Sequence, residues 1–542
     1  MDRILQVDGL ADEIEMAKHF ADYFEGVCTS FSEARNSDLL TRYQAAKYNY
    51  VGLELRESQM FDVELLSILV AEMQNGKAAG LDGLTVEHLK NSHPLILVIL
   101  CKLFNQCLLL GWIPPAFGLS YTVPIPKGDI RRQSLSVSNF RGISINPVLS
   151  KLFEMAVLRR FQSFFVTSDL QFGFKKNLSC CHAIYSLRNV VDHYIRGSST
   201  VNLCMVDLSK AFDKMNHYAL FLKLLNRKFP VQLIDIFVQW FSGSFSCVKW
   251  GDSLSHFFRL QSGVRQGGVL SPHFFAVFID DVINEVVNSK KGCHLSKMCV
   301  SIFVYADDIV LIAPSVGSLQ SLLTLLEGLL EELDMRINAS KSSCIRFGSR
   351  HDAECADLTM RNGDVLPWVS VSRYLGVYFL SGRIFRCCFD HAKRQFYRSF
   401  NAVFGKVGRF ASEELVLSLL RSKCLPTLLY AVESVPLNSR DKSSLDFTVN
   451  RVLMKLFRTG SITVIEECQK FFELLPVKFL VDIKVVKFLQ KFLASENRVC
   501  RLFKVQAGRQ LNNFRYAYQV DQTSTASQIT AAIKKKFFAV NP

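Results

Sequence analysis

The stretch MCVSIFVYADDIVLIAP (Met298–Pro314) decides the reading of this chain. Two runs of β-branched, aromatic and other apolar residues flank Tyr305-Ala306-Asp307-Asp308. Such runs are expected to pair as a buried hairpin. Two adjacent acids at its tip are costly unless a cation compensates them. A divalent metal is the natural partner, because Mg²⁺ typically uses one or two carboxylates plus substrate phosphates. Read alone, the same four residues are also an ordinary polar turn.

A third acid lies one hundred residues upstream. Asp207 ends the apolar run VNLCMV and opens LSKAFDKMNH. By itself it is a plausible helix N-cap. At a strand end beside a hairpin that carries two more acids, it suits a pair of metals about 3.5–4 Å apart.

Working outward, strands alternate with helices from residue 200. VNLCMVD is a strand, and KAFDKMNHYALFLKLLNRK starts a helix. SFSCVKWG and HFFRLQSGV pair as a hairpin, SPHFFAVFIDDVINEVV is a helix, SLQSLLTLLEGLLEELDMRI is another, and SSCIRFG is a strand. Strand, helix, strand, strand, helix, strand is the order of a split βαβ sheet. Upstream, residues 10–76 carry apolar side chains at helical spacing. YTVPIPK is a short strand, and SHPLILVILCKLFNQCLLLG is a buried helix stopped by Gly111 and Pro114-Pro115. Beyond about residue 385 the pattern is helical, and residues 521–542 have the look of a tail.

The formal charge of +15 is unevenly spread. Residues 1–76 hold 6 Lys and Arg against 14 Asp and Glu, whereas residues 381–542 hold 27 against 12. The basic residues there are interleaved with aromatics, as in HAKRQFYRSF. That is the footprint of a surface that neutralises phosphates; a solvated basic helical domain would share it. No run reaches 18 apolar residues, so a membrane span is not expected. The first residues lack the apolar core of a secretory signal. Sixteen scattered cysteines, with no CxxC or His-containing metal spacing, point to buried free thiols in a reducing compartment.

Together, YADD, DLSKAFDKMNH (from Asp207) and SGVRQGGVLSP (from Ser262) resemble a reverse transcriptase, and more narrowly that of a non-LTR, LINE-type retrotransposon. The resemblance runs in order from about residue 60 to 460, through NGKAAGLDGLTVEHLK, VPIPKGD with NFRGISINPVLSKLFE, QFGFKKNLSCCHAI, INASKSSCIRFG, YLGV and LPTLLYAVES. It implies an α+β right-hand polymerase: a helical extension over 1–76, fingers over 77–200, a palm with a split βαβ antiparallel sheet over 201–380, a basic helical thumb over 381–520, and the tail 521–542. It also implies an RNA-directed DNA polymerase that adds dNTPs to the 3′-OH of a DNA primer or nicked target on an RNA template, working with two Mg²⁺ (Mn²⁺ as substitute) inside the cell, in nucleus and cytoplasm.

The resemblance assigns roles residue by residue. Asp207 and Asp307 would ligate both metals, Asp308 would support the site and the primer end, and the Leu208 carbonyl would add a contact. Phe212 falls at the steric-gate position, where a ring excludes a ribose 2′-OH. Lys127 and Arg141 would clamp the triphosphate, and Gln266 and Gly267 would meet the incoming nucleotide or template. Lys341 matches the general acid for pyrophosphate, and Tyr374, Leu375 and Gly376 match the primer grip. At Ser179-Cys180-Cys181 the pattern departs from the usual Ser/Thr pair, which puts a template contact there in doubt. About 60 residues ahead of the resemblance are too few for an apurinic-type endonuclease, and no Cys/His knuckle follows. Either the copy is truncated or a nicking domain lies elsewhere. Two rivals are a group II intron maturase, which shares YADD, and a non-catalytic RNA-binding relic.

Overall fold

The computed structural model describes residues 6–128, 135–408 and 410–539. Its contacts separate two compact, interleaved units. One comprises 1–168, 207–285 and 325–338; the other comprises 169–206, 286–324 and 339–542.

The first unit is built around a mixed sheet. Leu119–Pro126 pairs antiparallel with Phe140–Ile145 on one side and parallel with Phe245–Trp250 on the other. Phe245–Trp250 also pairs antiparallel with Ser253–Leu254 and Phe258–Arg259, as the expected hairpin requires. Its place in this sheet was not foreseen: although it lies within the 201–380 stretch, its parallel partner comes from 119–126. Helix Glu13–Val27 begins where the Asp12 carboxylate accepts the amides of Ile14 and Glu15, both at 2.9 Å. It lays Phe20 between Phe140 (4.9 Å) and Trp250 (5.0 Å). A second aromatic cluster joins Phe104 of helix Leu95–Leu110, Phe153 of helix Val148–Arg160, Phe117 and Trp240. Gly111 ends the Leu95–Leu110 helix at φ +62, a conformation that favours glycine.

The second unit contains the sheet that positions the acids. Its strands lie in the order Ser343–Phe347, Val201–Asp207 (all but its last residue in this unit), Asp308–Ala313, Ile302–Tyr305. The two outer pairings are antiparallel, with Cys344 opposite Cys204 and Asp308 opposite Tyr305. In the centre, the Asn202 side-chain amide donates to the Ala313 carbonyl (3.3 Å). The start of one central strand therefore lies beside the end of the other, and the two run antiparallel. With strands numbered in chain order, the sheet reads 4-1-3-2, the arrangement expected of a split βαβ unit. Both central strands are almost wholly buried along their length, which explains why they read as continuous apolar runs rather than alternating ones.

From Asp390 this unit is helical: Asp390–Val407, Ser439–Phe457 and Val477–Leu493 enclose a core that includes Phe396, Phe400, Leu445, Leu453 and Val481. The expected tail is not loose chain throughout. Ala526–Phe538 is a helix that buries Ile529 and Ile533 completely. Its first amide donates to Gln490 Oε1 at 3.0 Å. Apolar residues at 526, 529 and 533 carry the helical spacing that accounts for this docking.

Candidate active site

In the acid-bearing hairpin, Tyr305 faces Asp308, so Ala306 and Asp307 form a two-residue turn. Ala306 stands at φ +58, as the first central residue of a type II′ turn does. The apolar strands are buried, but Asp307 is only half-buried and Asp308 is exposed. The expectation that both acids sit in a buried hairpin and need a cation to offset their burial is thus corrected. The strands are buried; the carboxylates are held out of the core at the tip. Oxygen-only side chains presented this way suit Mg²⁺, which keeps water and substrate oxygens in its shell. Among the described residues, no three His, Cys, Asp or Glu side chains close into a metal cage. A site completed by substrate phosphates does not require one.

Asp207 is the last residue of its strand. Its carbonyl accepts the Asn338 amide (2.8 Å), and the Ser209 amide donates to Arg336 O (2.9 Å). These bonds flank the bridge between Leu208 and Ile337, so the Leu208 carbonyl points away from the 336–338 segment.

The five residues expected at the nucleotide all fall in the first unit, where a chain of contacts links them. Lys127 and Arg141 belong to one hairpin: Arg141 is exposed opposite Ile125, and Lys127 Nζ donates to the Ser138 carbonyl (3.0 Å). Three residues beyond Arg141, the Ser144 amide donates to Gln266 O (2.8 Å). Gly267, at φ +137, crosses so close that a β-carbon would lie 2.3 Å from Ser144 O. Gln266 Nε2 donates to Asp213 Oδ1 (2.8 Å), which turns the amide oxygen away from the carboxylate. Burial raises the Asp213 pKa; the hydrogen bond from Gln266 and the lysines 210, 127 and 214 oppose that rise. Phe212, one residue earlier, is half-buried and stacks on Phe275 at 4.7 Å.

The remaining expected residues lie in the second unit. Lys341 is exposed just before strand Ser343–Phe347. Tyr374 faces Val377, so Leu375 (φ +45) and Gly376 (φ +82) form a tight turn of type I′ character. The Tyr374 ring is buried and packs on Phe379 (5.9 Å); burial, then the Asp308 charge, push its phenol pKa well up. Tyr430 Oη donates to Leu375 O (3.2 Å) and also meets Cys180 Sγ (3.1 Å). Ser179 caps helix Cys180–Arg196 through His182. All sixteen cysteines are free, and most are buried.

Two supports escaped the sequence reading. Glu154, on helix Val148–Arg160, is buried; its Oε2 accepts the Leu270 amide at 2.7 Å, behind the Gln266-Gly267 turn. Burial raises its pKa and Arg265 opposes that; Arg265 itself donates to Phe117 O (3.0 Å). Gln171, fully buried, reaches the acid turn itself. A Glu in an otherwise apolar helix face was the only advance signal for the first. The second had none beyond its place in the QFGF block.

Residues 125–379 match the family model described as reverse transcriptase (RNA-dependent DNA polymerase). The chain is 27% identical over 393 residues to the RNA-directed DNA polymerase from mobile element jockey of Drosophila funebris, covering 68% of this chain and 41% of that protein. It is 25% identical over 315 residues to the retrovirus-related Pol polyprotein from type-2 retrotransposable element R2DM of Drosophila melanogaster, covering 57% and 29%. Among solved structures, the RNA-dependent RNA polymerase of a human picobirnavirus is similar with a TM-score of 0.41 at 12% identity, covering 84% of this chain and 76% of that one. The chain thus spans less than half the length of these two retrotransposon relatives. No helix among the described residues is long and apolar enough to cross a membrane.

Proposed function

We propose that this chain, a member of the reverse transcriptase family over residues 125–379, is the RNA-directed DNA polymerase of a non-LTR retrotransposon. It extends a DNA 3′-OH with dNTPs on an RNA template, in the nucleus and cytoplasm. The observation that carries the reading is the strand order. The strand ending at Asp207 lies directly beside the one beginning at Asp308, and the turn between the two hairpin strands presents Asp307. In this reading 77–200 is the fingers, 201–380 the palm and 381–520 the thumb. The mixed sheet supports one adjustment, in which Phe245–Trp250 serves the fingers side.

Asp207 and Asp307, aided by the Leu208 carbonyl, hold two Mg²⁺ or Mn²⁺ ions, and Asp308 supports the primer end. When bound, the metals polarise the 3′-hydroxyl and balance charge on the triphosphate. The chain's own residues do the rest. Lys127 and Arg141 offset phosphate charge, and Gln266 presents an amide oxygen fixed by Asp213. Phe212 blocks the space of a 2′-OH. Lys341 protonates the departing pyrophosphate, and the turn at Tyr374, Leu375 and Gly376 steadies the primer. Such chemistry is mostly positioning and electrostatic stabilisation, so it needs fixed donors and acceptors rather than a covalent intermediate.

The test is primed extension with Mg²⁺ on an RNA template. Asp307→Asn is expected to abolish extension while template binding stays near the parent value, because only a metal ligand's charge is lost. Extension retained by this variant would overturn the assignment. A chain that binds nucleic acid but never incorporates label would instead be the non-catalytic relic.

A further inference from the structure

The turn that presents Asp307 holds a conformation its own sequence does not favour. Ala306 is left-handed at φ +58, where the β-carbon crowds the backbone and glycine is preferred. A contact from outside the hairpin adds to the pairing of Tyr305 with Asp308 in holding it. The segment facing the turn is 170–173. Val304 donates its amide to Leu170 O (2.9 Å), and Phe172 donates to Val304 O (2.8 Å), so this segment runs as a short parallel addition along the edge strand Ile302–Tyr305. Phe172 stacks on Phe303 with ring centroids 5.9 Å apart. That register delivers the fully buried Gln171 to the turn. Gln171 Oε1 accepts two backbone amides, Gly173 N at 2.9 Å and Ala306 N at 3.2 Å. Gly173 leaves the space this needs, since a β-carbon there would lie 2.6 Å from Ala306 N.

We propose that Gln171 and Gly173 are positioning residues of the polymerase site: the buried carboxamide fixes the Ala306 amide, and thereby the direction in which Asp307 offers its carboxylate to a divalent cation. Neither residue touches a reacting atom. The inference rests on the reading of Asp307 as a metal ligand. Outer-shell hydrogen bonds of this kind set how well a ligand meets its metal.

The probe is Mn²⁺ alone, titrated into the full chain and followed by electron paramagnetic resonance, with thermal melting alongside. Gln171→Met keeps the bulk and removes the acceptor. It should weaken Mn²⁺ binding about tenfold or more, and lower the extension rate without changing template affinity. Gln171→Glu keeps an acceptor for both amides and should bind close to the parent. Ala306→Gly takes the left-handed conformation without strain, so Gln171→Met with Ala306→Gly should recover most of the lost affinity. Gly173→Ala leaves the carboxamide in place but crowds the Ala306 amide, and should weaken Mn²⁺ binding like Gln171→Met. Unchanged Mn²⁺ affinity in a Gln171→Met protein that merely melts earlier would overturn the inference, leaving Gln171 a fold stabiliser. So would failure of Ala306→Gly to restore binding. Asp307→Asn, run in the same titration, separates the two levels. Parent-like binding in that variant overturns the metal-site reading and this inference with it. Loss there, with Gln171→Met unaffected, overturns only the inference.

Discussion

A single side chain can be assigned a role only when its neighbours fix where it points. Phe212 meets that condition through its stack on Phe275 at 4.7 Å and through its carbonyl, which accepts the Val264 amide (2.8 Å). In the proposed reading, a ring held this way stands in the space of a 2′-OH. Phe212→Val should therefore raise ribonucleotide use relative to dNTPs by roughly tenfold or more, read as the ratio of kcat/KM values. An unchanged ratio would remove Phe212 from the gate. His217 shows the same logic applied to protons. It is buried with Nε2 2.7 Å from the Gly263 carbonyl, and burial pushes its pKa down to about 4. The folded ring stays neutral and donates to that carbonyl, whereas the unfolded ring takes up a proton near pH 6.5. The stability it contributes is present above about 6.5 and is lost as pH falls towards 4, in total on the order of 3 kcal/mol. Melting temperatures should fall over that window, and His217→Gln should flatten the curve while starting lower at pH 7. An equally steep curve in the variant would assign the acid sensitivity to other groups.

At the scale of elements, what was legible in the sequence was what local pattern determines. The apolar runs around 305–308 gave the hairpin, and the apolar run stopped by Gly111 gave helix Leu95–Leu110. The blocks proposed to carry the three acids, Phe212 and the Gln266-Gly267 turn stand out because each is short and contiguous. What was hidden depends on pairing across long separations. Nothing in SFSCVKW says that its parallel partner lies some 125 residues earlier, because register is a property of two strands. Gln171 was hidden for the same reason, since its bond to the acid turn exists only once Ala306 arrives 135 residues later. The acids escape burial because the tip of a hairpin does not share the environment of its strands. The Gln266-Gly267 turn tests how tightly such an element is set. Gly267→Ala would drive a β-carbon against Ser144 O, 2.3 Å away, at a backbone angle that only glycine tolerates well. The turn must shift, and kcat/KM for dNTPs should fall on the order of a hundredfold with template binding retained. Parent-like kinetics would show that the turn does not meet the nucleotide.

For the molecule as a whole, charge is the property that no single element accounts for. The net +15 of the chain coexists with an acidic first 76 residues, and 27 of its 64 basic side chains lie after residue 380. Part of that charge is gathered on one face of a single helix. On helix Ser439–Phe457, residues 447, 451 and 455 follow one another at one-turn spacing and share a face. Phe447 is 55% exposed, Arg451 lies over its ring at 5.8 Å, and Lys455 is exposed one turn further on. An exposed ring flanked by cations can stack on a base while its neighbours neutralise phosphates. Binding of a primed RNA template by the full chain should therefore weaken steeply with salt. If six to ten phosphates are neutralised, affinity falls on the order of a thousandfold or more between about 50 and 200 mM salt. Arg451→Gln with Lys455→Gln should reduce the slope of log K against log salt by about 2 if both meet phosphate, whereas Asp307→Asn should leave it unaltered. A slope near zero in the parent would mean that the basic residues after 380 are solvated surface. An unaltered slope in the double variant would move the phosphate path to a different face of the helices.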